Sequence, residues 1–229
     1  MIPGAVGLIH TVPALAGDLD RLLGAALPDA RRIHIADPWL LDEAQADGLT
    51  SRIVGQVAAH VNHLARLGCR AVLLTCSSIG PAAAPAARAT GLPVFRIDAP
   101  MAERAVDLAA QPGAAGRIAV LATLPSTVAP TTDLIREVAA GRGAAVEVAA
   151  QVVGGAQAAR QAGRPDQADR LVAAAITAAT PTADAVVLAQ ASMAGAAATV
   201  DVPKPVLTSQ VSGIGGFAKL AAAALAGRP

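Results

Sequence analysis

Residues 73–80, Leu73-Leu74-Thr75-Cys76-Ser77-Ser78-Ile79-Gly80, end an apolar run in a cluster of polar side chains. The run over 71–74 has the composition of a buried strand, and it stops at a thiol ringed by three hydroxyls, with Gly80 and Pro81 just beyond. In an open α/β sheet, ligands and chemistry collect at the carboxyl ends of the strands. A cysteine there, beside hydroxyl groups and ahead of a helix N-terminus, is suited to hold a thiolate and to act as acid, base or nucleophile. A cysteine that only fills space sits in an apolar setting, which Thr75, Ser77 and Ser78 do not provide.

The same alternation extends outward along the whole chain. Strand-like runs lie at 5–9, 32–35, 71–74 and 93–97, and again at 117–121, 145–149, 185–188 and 205–207. Segments of helical period separate them, at 14–27, 51–67, 82–89, 101–110, 127–142, 166–179 and 215–225. Thr50-Ser51 opens one of these helices, and Gly141 and Gly143 close another. Strands alternating with helices predict an α/β fold with parallel sheets covered on both faces.

The pattern also repeats once. Leu8-Ile9-His10-Thr11-Val12-Pro13 matches Val120-Leu121-Ala122-Thr123-Leu124-Pro125. Ala71-Val72-Leu73-Leu74-Thr75-Cys76 matches Ala185-Val186-Val187-Leu188-Ala189-Gln190, and Gly91-Leu92-Pro93-Val94 parallels Val202-Pro203-Lys204-Pro205-Val206. Three collinear matches predict two pseudo-symmetric lobes, each a short, mainly parallel sheet flanked by helices. Lobe one takes residues 1–98 plus 209–229 and lobe two takes 99–208. Like-folded lobes of this kind are expected to face their equivalent strand ends across a cleft.

Composition narrows the function. The chain has 229 residues, 54% of them hydrophobic and 15% charged, with a formal net charge of +1. Basic residues are scattered singly apart from Arg31-Arg32, and the chain holds no tyrosine, two phenylalanines and one tryptophan. That argues against nucleic acid, which needs basic stripes and aromatic stacking platforms, and against a charged membrane surface. Two cysteines, Cys69 and Cys76, do not make a secreted disulfide scaffold. Met1-Ile2-Pro3-Gly4 lacks the basic start of a signal peptide. A cytoplasmic protein is expected.

With those residues in place, the sequence resembles the aspartate/glutamate racemase superfamily, which includes hydantoin racemases, maleate isomerases and arylmalonate decarboxylases. Thr75-Cys76-Ser77-Ser78-Ile79-Gly80 looks like the family's first cysteine motif, and Val187-Leu188-Ala189-Gln190-Ala191-Ser192-Met193-Ala194 like the motif around its second cysteine. The resemblance covers essentially the whole chain. It implies two lobes with the active site between them, no metal or organic cofactor, a small carboxylate substrate and a homo-oligomer. In such racemases one cysteine removes the α-proton and the other delivers one from the opposite face.

This chain departs from the pattern at Gln190, which stands where the second cysteine is expected. A carboxamide donates and accepts hydrogen bonds but does not shuttle a proton at neutral pH. Cys69 precedes the strand that Cys76 ends and reads as a buried small residue. The expectation is a cofactor-independent enzyme of racemase or isomerase type, moving a proton at the α-carbon through Cys76 alone. The alternatives are a decarboxylase of malonate-type acids and a carboxylate-binding protein without catalysis. Arylmalonate decarboxylase in this superfamily works with one cysteine, from the second-lobe position.

Around Cys76, the expected substrate contacts are Thr11 and Thr123, each ending the first strand of its lobe, then Thr75, Ser77 and Ser78, and the mirror group Gln190, Ala191 and Ser192. Hydroxyls and backbone N–H groups there suit a carboxylate or an enediolate oxygen, though each threonine is equally suited to capping a helix. Gln190 either orients the substrate or plugs the place of a lost thiol. His10 either tunes Cys76, meets substrate, or serves as a structural hydrogen-bonder. Trp39 lines a cleft or packs on the core, and Asp98 supports the site or caps a helix. His60 and His63 lack companion ligands for a metal. The Gly213-x-Gly215-Gly216 run does not follow a first strand, as a dinucleotide-binding turn would.

Overall fold

The computed structural model describes residues 4–227, so Met1–Pro3, on which part of the leader reading rests, lie outside it. The chain divides into two compact units, Met1–Ile97 with Gln210–Pro229, and Asp98–Ser209.

In the first unit, β1 (Ala5–His10), α1 (Ala16–Ala26), β2 (Arg31–Ala36), α2 (Trp39–Asp47), α3 (Ser51–Arg66), β3 (Cys69–Leu74), α4 (Ala83–Thr90) and β4 (Val94–Arg96) follow in order. The second unit holds α5 (Ala99–Ala109), β5 (Arg117–Ala122), α6 (Val128–Gly141), β6 (Glu147–Val152), α7 (Ala156–Gln161), α8 (Pro165–Ala179), β7 (Ala185–Leu188), α9 (Ala194–Ala197) and β8 (Val206–Leu207). The chain then returns to the first unit as α10 (Ser209–Leu225). Each sheet is four-stranded and parallel, in the orders β2-β1-β3-β4 and β6-β5-β7-β8.

Side-chain alternation along the strands sorts each core into two layers. In the first unit, Ile9, Val72 and Leu74 face Ile53, Val57, Val61 and Leu64 of α3. Val6, Leu8, Ala71 and Leu73 face Leu19 and Leu23 of α1 and Ile214, Phe217 and Ala221 of α10. In the second unit, Ile118, Val120 and Val187 pack with α5 and α6, while Ala119, Leu121, Val186 and Leu188 pack with α8.

The registers make the two sheets equivalent. Ile9 pairs with Leu74 in one, and Leu121 with Leu188 in the other. Counting two residues on from each pair brings Thr11 into correspondence with Thr123, and Cys76 with Gln190.

The differences from the sequence reading are local. Helix α10 starts at Ser209, six positions ahead of the expected 215, and runs through all three glycines. A methyl group on Gly213 would overlap the Ile97 carbonyl oxygen and its side chain, so the absent Cβ lets α10 lie against the end of β4. Strand β6 is set by its pairing with β5, Arg117 against Glu147, rather than by the apolar run at 145–149. The short helices α2, α7 and α9 were not expected. Among the described residues, no helix is long and apolar enough to cross a membrane.

Gly213→Ala is expected to destabilise the fold by about 2 kcal/mol, the range of overpacking a tight contact. Gly215→Ala, whose Cβ position is open, is expected to be neutral or to stabilise by up to about 1 kcal/mol. Urea unfolding of the two variants checks the contrast.

Candidate active site

Cys76 follows β3 with extended backbone, φ −127° and ψ 126°, as the cap of a 3-10 turn over Ser77–Ala82 that leads into α4. Its side chain is half-buried against the α3-side core layer. Ser77 and Ser78 are buried beside it. Cys76 is thus a half-buried group at the head of a largely buried turn. Cys69, the other thiol, is the first residue of β3 and buried. Burial pushes its pKa up to about 11.

Sequence reasoning missed Arg96 at this turn. It ends β4 opposite Leu74, and its guanidinium lies over Gly80: a methyl group placed on that glycine would come within 2.6 Å of Nε. The signal was the glycine itself, which allows a charged group to approach the thiol-bearing turn.

Thr75 completes the strand end from the other layer. Its N–H and its hydroxyl both reach the Ile9 carbonyl, each at 3.1 Å. The hydroxyl oxygen is also 3.1 Å from His10 Nδ1. Thr75 therefore spends its hydrogen bonds on its neighbours within the unit. Thr11, two residues beyond Ile9, is buried, and its hydroxyl has no hydrogen-bond partner among the described residues. Such an unmatched group costs free energy until something pairs with it. Thr131 in α6 has the only other such hydroxyl among the described residues.

In the second unit, Gln190 caps the 3-10 turn Ala191–Met193. Its Oε1 accepts three hydrogen bonds, from Thr123 N–H at 2.5 Å, Thr123 Oγ1 at 3.1 Å and Leu124 N–H at 3.3 Å. The carboxamide thus ties the end of β7 to the end of β5. Ala191 and Ser192 stand beside it, half-buried. Thr123, at the place of Thr11, is fully partnered, whereas Thr11 is not.

The remaining candidates have structural settings. Trp39 packs on the first unit's core under the Arg52 guanidinium, 5.2 Å from its ring centroid. Asp98 is buried at the start of α5. His60 pairs with Asp37 at 2.7 Å and with Gln56 at 3.2 Å, which pins α3 to the segment after β2. Among the described residues no cluster of three metal-ligating side chains occurs.

His10 is fully buried with both ring nitrogens engaged, Nδ1 toward Thr75 and Nε2 toward His34 Nδ1 at 2.9 Å. Burial first, and then His34, lower its pKa from 6.5 to about 4. Between those values the unfolded chain binds a proton here that the folded chain does not. Stability should therefore fall as pH drops through this window, by up to about 3 kcal/mol, with no further loss from this group below it. Urea unfolding across the window should show a shallower pH slope in His10→Gln than in the wild type; equal slopes would refute the assignment.

Comparison with known proteins agrees with this architecture. The model of the Asp/Glu/hydantoin racemase family matches residues 11–214. No curated protein is significantly similar by sequence. Among solved structures, an aspartate racemase from Picrophilus torridus superposes with a TM-score of 0.69 at 15% identity, covering 96% of this chain and 94% of that one. The glutamate racemase from Thermus thermophilus, in complex with β-chloro-D-alanine, gives 0.66 at 18% identity, over 96% and 81%. A glycine-to-cysteine mutant of arylmalonate decarboxylase, with sulfate associated, gives 0.60 at 19% identity, over 95% and 93%. With a family model matched along nearly its whole length, the chain belongs to the Asp/Glu/hydantoin racemase family.

Proposed function

We propose that this protein is a one-thiol enzyme that moves a proton at the α-carbon of a small carboxylate substrate, with Cys76 as the acid and base. The observation that carries the reading is the contrast between equivalent strand ends. One presents a half-exposed thiol, and the other a glutamine whose oxygen is held by three donors. Ser77, Ser78 and the N–H groups of their turn are the proposed donors to an enediolate oxygen. Arg96 adds positive charge at the same turn. The unmatched Thr11 hydroxyl is a proposed partner for the substrate carboxylate. Thr75 frames the thiol. Thr123, Gln190, Ala191 and Ser192 are the proposed contacts from the second unit, with Gln190 orienting rather than reacting.

As base, the Cys76 thiolate takes the α-hydrogen and leaves an enediolate. As acid, the same thiol returns a proton to the carbon. With no second proton carrier at Gln190, return occurs on the face from which the proton left. Exchange with solvent then proceeds without inversion. A second reading is a decarboxylase of malonate-type acids, a reaction that needs one proton carrier and so is compatible with the carboxamide of Gln190 at the other strand end. There the carbon–carbon bond breaks to release CO₂, the electron pair stays as the enediolate, and Cys76 delivers a single proton.

Proton NMR in D₂O with amino acids, hydantoins, maleate and aryl- or alkyl-malonates separates these readings. Deuterium entering an α-position with handedness kept, lost in Cys76→Ala, is the expected result for the first. CO₂ loss that disappears in the same variant establishes the second. Silence across the panel, with Cys76 no more reactive than a free thiol, would leave a binding protein instead.

Alkylation gives an independent check. At neutral pH iodoacetamide is expected to modify Cys76, with Cys69 slower by roughly a hundredfold or more because its thiol stays protonated and buried. A ligand that binds at the site should protect Cys76.

A further inference from the structure

A line of hydrogen bonds runs from the surface through three elements of the first unit to Thr75, the residue before the thiol. Asp20 of α1 accepts from His34 Nε2 of β2 at 3.0 Å. His34 Nδ1 and His10 Nε2 of β1 are 2.9 Å apart, and the two rings lie edge to edge, 4° from parallel with centroids 5.1 Å apart. His10 Nδ1 meets the Thr75 hydroxyl at 3.1 Å, just past β3. At the outer end, Asp20 also accepts from Arg32 Nε at 2.7 Å. The side chain of Asp20 is 44% exposed, that of His34 25%, and His10 is fully buried.

Proton counting, with every buried ring nitrogen matched, leaves this line two states. A carboxylate only accepts, so His34 Nε2 carries a hydrogen in both. Two ring nitrogens at 2.9 Å share one proton between them. His10 is neutral near pH 7, because its burial disfavours the charge, so it has one N–H to place.

In the neutral state, His34 Nδ1 is bare and accepts from His10 Nε2–H. His10 Nδ1 is then bare, and the Thr75 hydroxyl donates to it. In the state with one more proton, His34 carries hydrogens on both nitrogens. His10 Nε2 now accepts, its single hydrogen sits on Nδ1 and points at the Thr75 oxygen, and the Thr75 hydroxyl turns to the Ile9 carbonyl 3.1 Å away. That carbonyl is not orphaned in either state, since the Thr75 N–H also reaches it at 3.1 Å.

We infer that Asp20, His34 and His10 are positioning residues that act through Thr75: a proton taken up at His34 reverses the tautomer of His10 and with it the direction of the Thr75 hydroxyl, at the strand end that carries Cys76. The ionisable groups facing His34 in this line are Asp20 from α1, with Arg32 on the same carboxylate, and His10 from β1. The extra proton settles on His34, next to the carboxylate, and the buried ring changes tautomer without becoming charged. Thr75 closes β3 onto β1 just before Cys76 leaves the sheet. The direction of its hydroxyl decides whether the Ile9 carbonyl receives one hydrogen bond from Thr75 or two. The consequence for catalysis rests on the proposed role of Cys76; the tautomer reversal does not.

The test is long-range ¹H–¹⁵N NMR of the full chain with ¹⁵N-labelled histidine, from about pH 8 to about pH 5, the range in which imidazoles titrate. His10→Gln and His34→Gln assign the rings. The expected result is complete transfer of the His10 hydrogen from Nε2 to Nδ1 with the midpoint at which His34 gains its proton. The Cys76 backbone amide should shift with that same midpoint, and in His34→Gln both changes should vanish. A His10 that keeps one tautomer while His34 titrates, or a Cys76 amide that does not follow, overturns the inference. Should His34→Gln fail to fold, the wild-type titration still decides. Reversal together with a silent substrate panel upholds the relay and removes the catalytic reading, whereas turnover with a static His10 does the opposite.

Discussion

Parallel pairing is the constraint on which the rest of this structure depends. Each connection between parallel strands must cross a face of the sheet, so helices cover both faces and the strands become apolar on both sides. Here that requirement is met twice, by α3 and by α1 with α10 in the first unit, and by two similar layers in the second. Buried polar side chains are thereby displaced toward the places where strands run out, as at His10, Thr11, Thr75 and Thr123. Equal strand orders and equal registers then make the two sets of strand ends correspond residue by residue.

Equivalent positions have nonetheless diverged in how well their polar groups are satisfied. At the end of β5, the Thr123 N–H, the Thr123 hydroxyl and the Leu124 N–H all converge on one oxygen of Gln190. At the end of β1, the corresponding hydroxyl of Thr11 is buried without a partner among the described residues. Folding alone favours the first arrangement, because an unmatched buried hydroxyl is expensive. The second is the arrangement that the proposed carboxylate contact at Thr11 would relieve. The unsatisfied hydroxyl and the half-exposed thiol belong to the same unit, and the saturated glutamine to the other. The duplicated scaffold thus holds one strand end whose polar groups are matched and one whose threonine hydroxyl is left unmatched among the described residues.

How much of this was legible in the sequence followed from the range of the interactions. Apolar runs bounded by Gly, Pro and hydroxyl residues overlapped each of the eight strands among the described residues, because the central strands β1, β3, β5 and β7 are buried and leave a continuous apolar signature that the edge strands keep in part. Alpha10 began earlier than its glycines suggested, since the benefit of Gly213 lies in a contact with Ile97 far away in the chain. Beta6 slid toward its C-terminal side because its bounds come from hydrogen bonds with β5, while its side chains are largely exposed. At the candidate site, Cys76 and its neighbouring hydroxyls stand out by composition. Arg96 did not, because it reaches Gly80 only after β4 has been laid beside β3. Likewise His10 was visible as a histidine at a strand end, but His34 and Asp20 belong to separate elements whose meeting has no local signal.

The pairing of two imidazoles inside a small domain bears on what the first unit is built to do. Leucine and isoleucine fill the neighbouring positions of β1 and β2, and a well-packed apolar pair generally matches or exceeds a buried polar pair in stability. A buried polar network is favourable only when every member is matched. Here each nitrogen of both rings, the Asp20 carboxylate and the Thr75 hydroxyl find partners. His10 still loses stability to acid that an aliphatic residue would keep. A line whose only buried end is Thr75, and whose other end is a partly exposed carboxylate, connects solvent to the residue beside the thiol. An apolar pair at the same positions would close that connection and leave the strand end at Cys76 indifferent to pH.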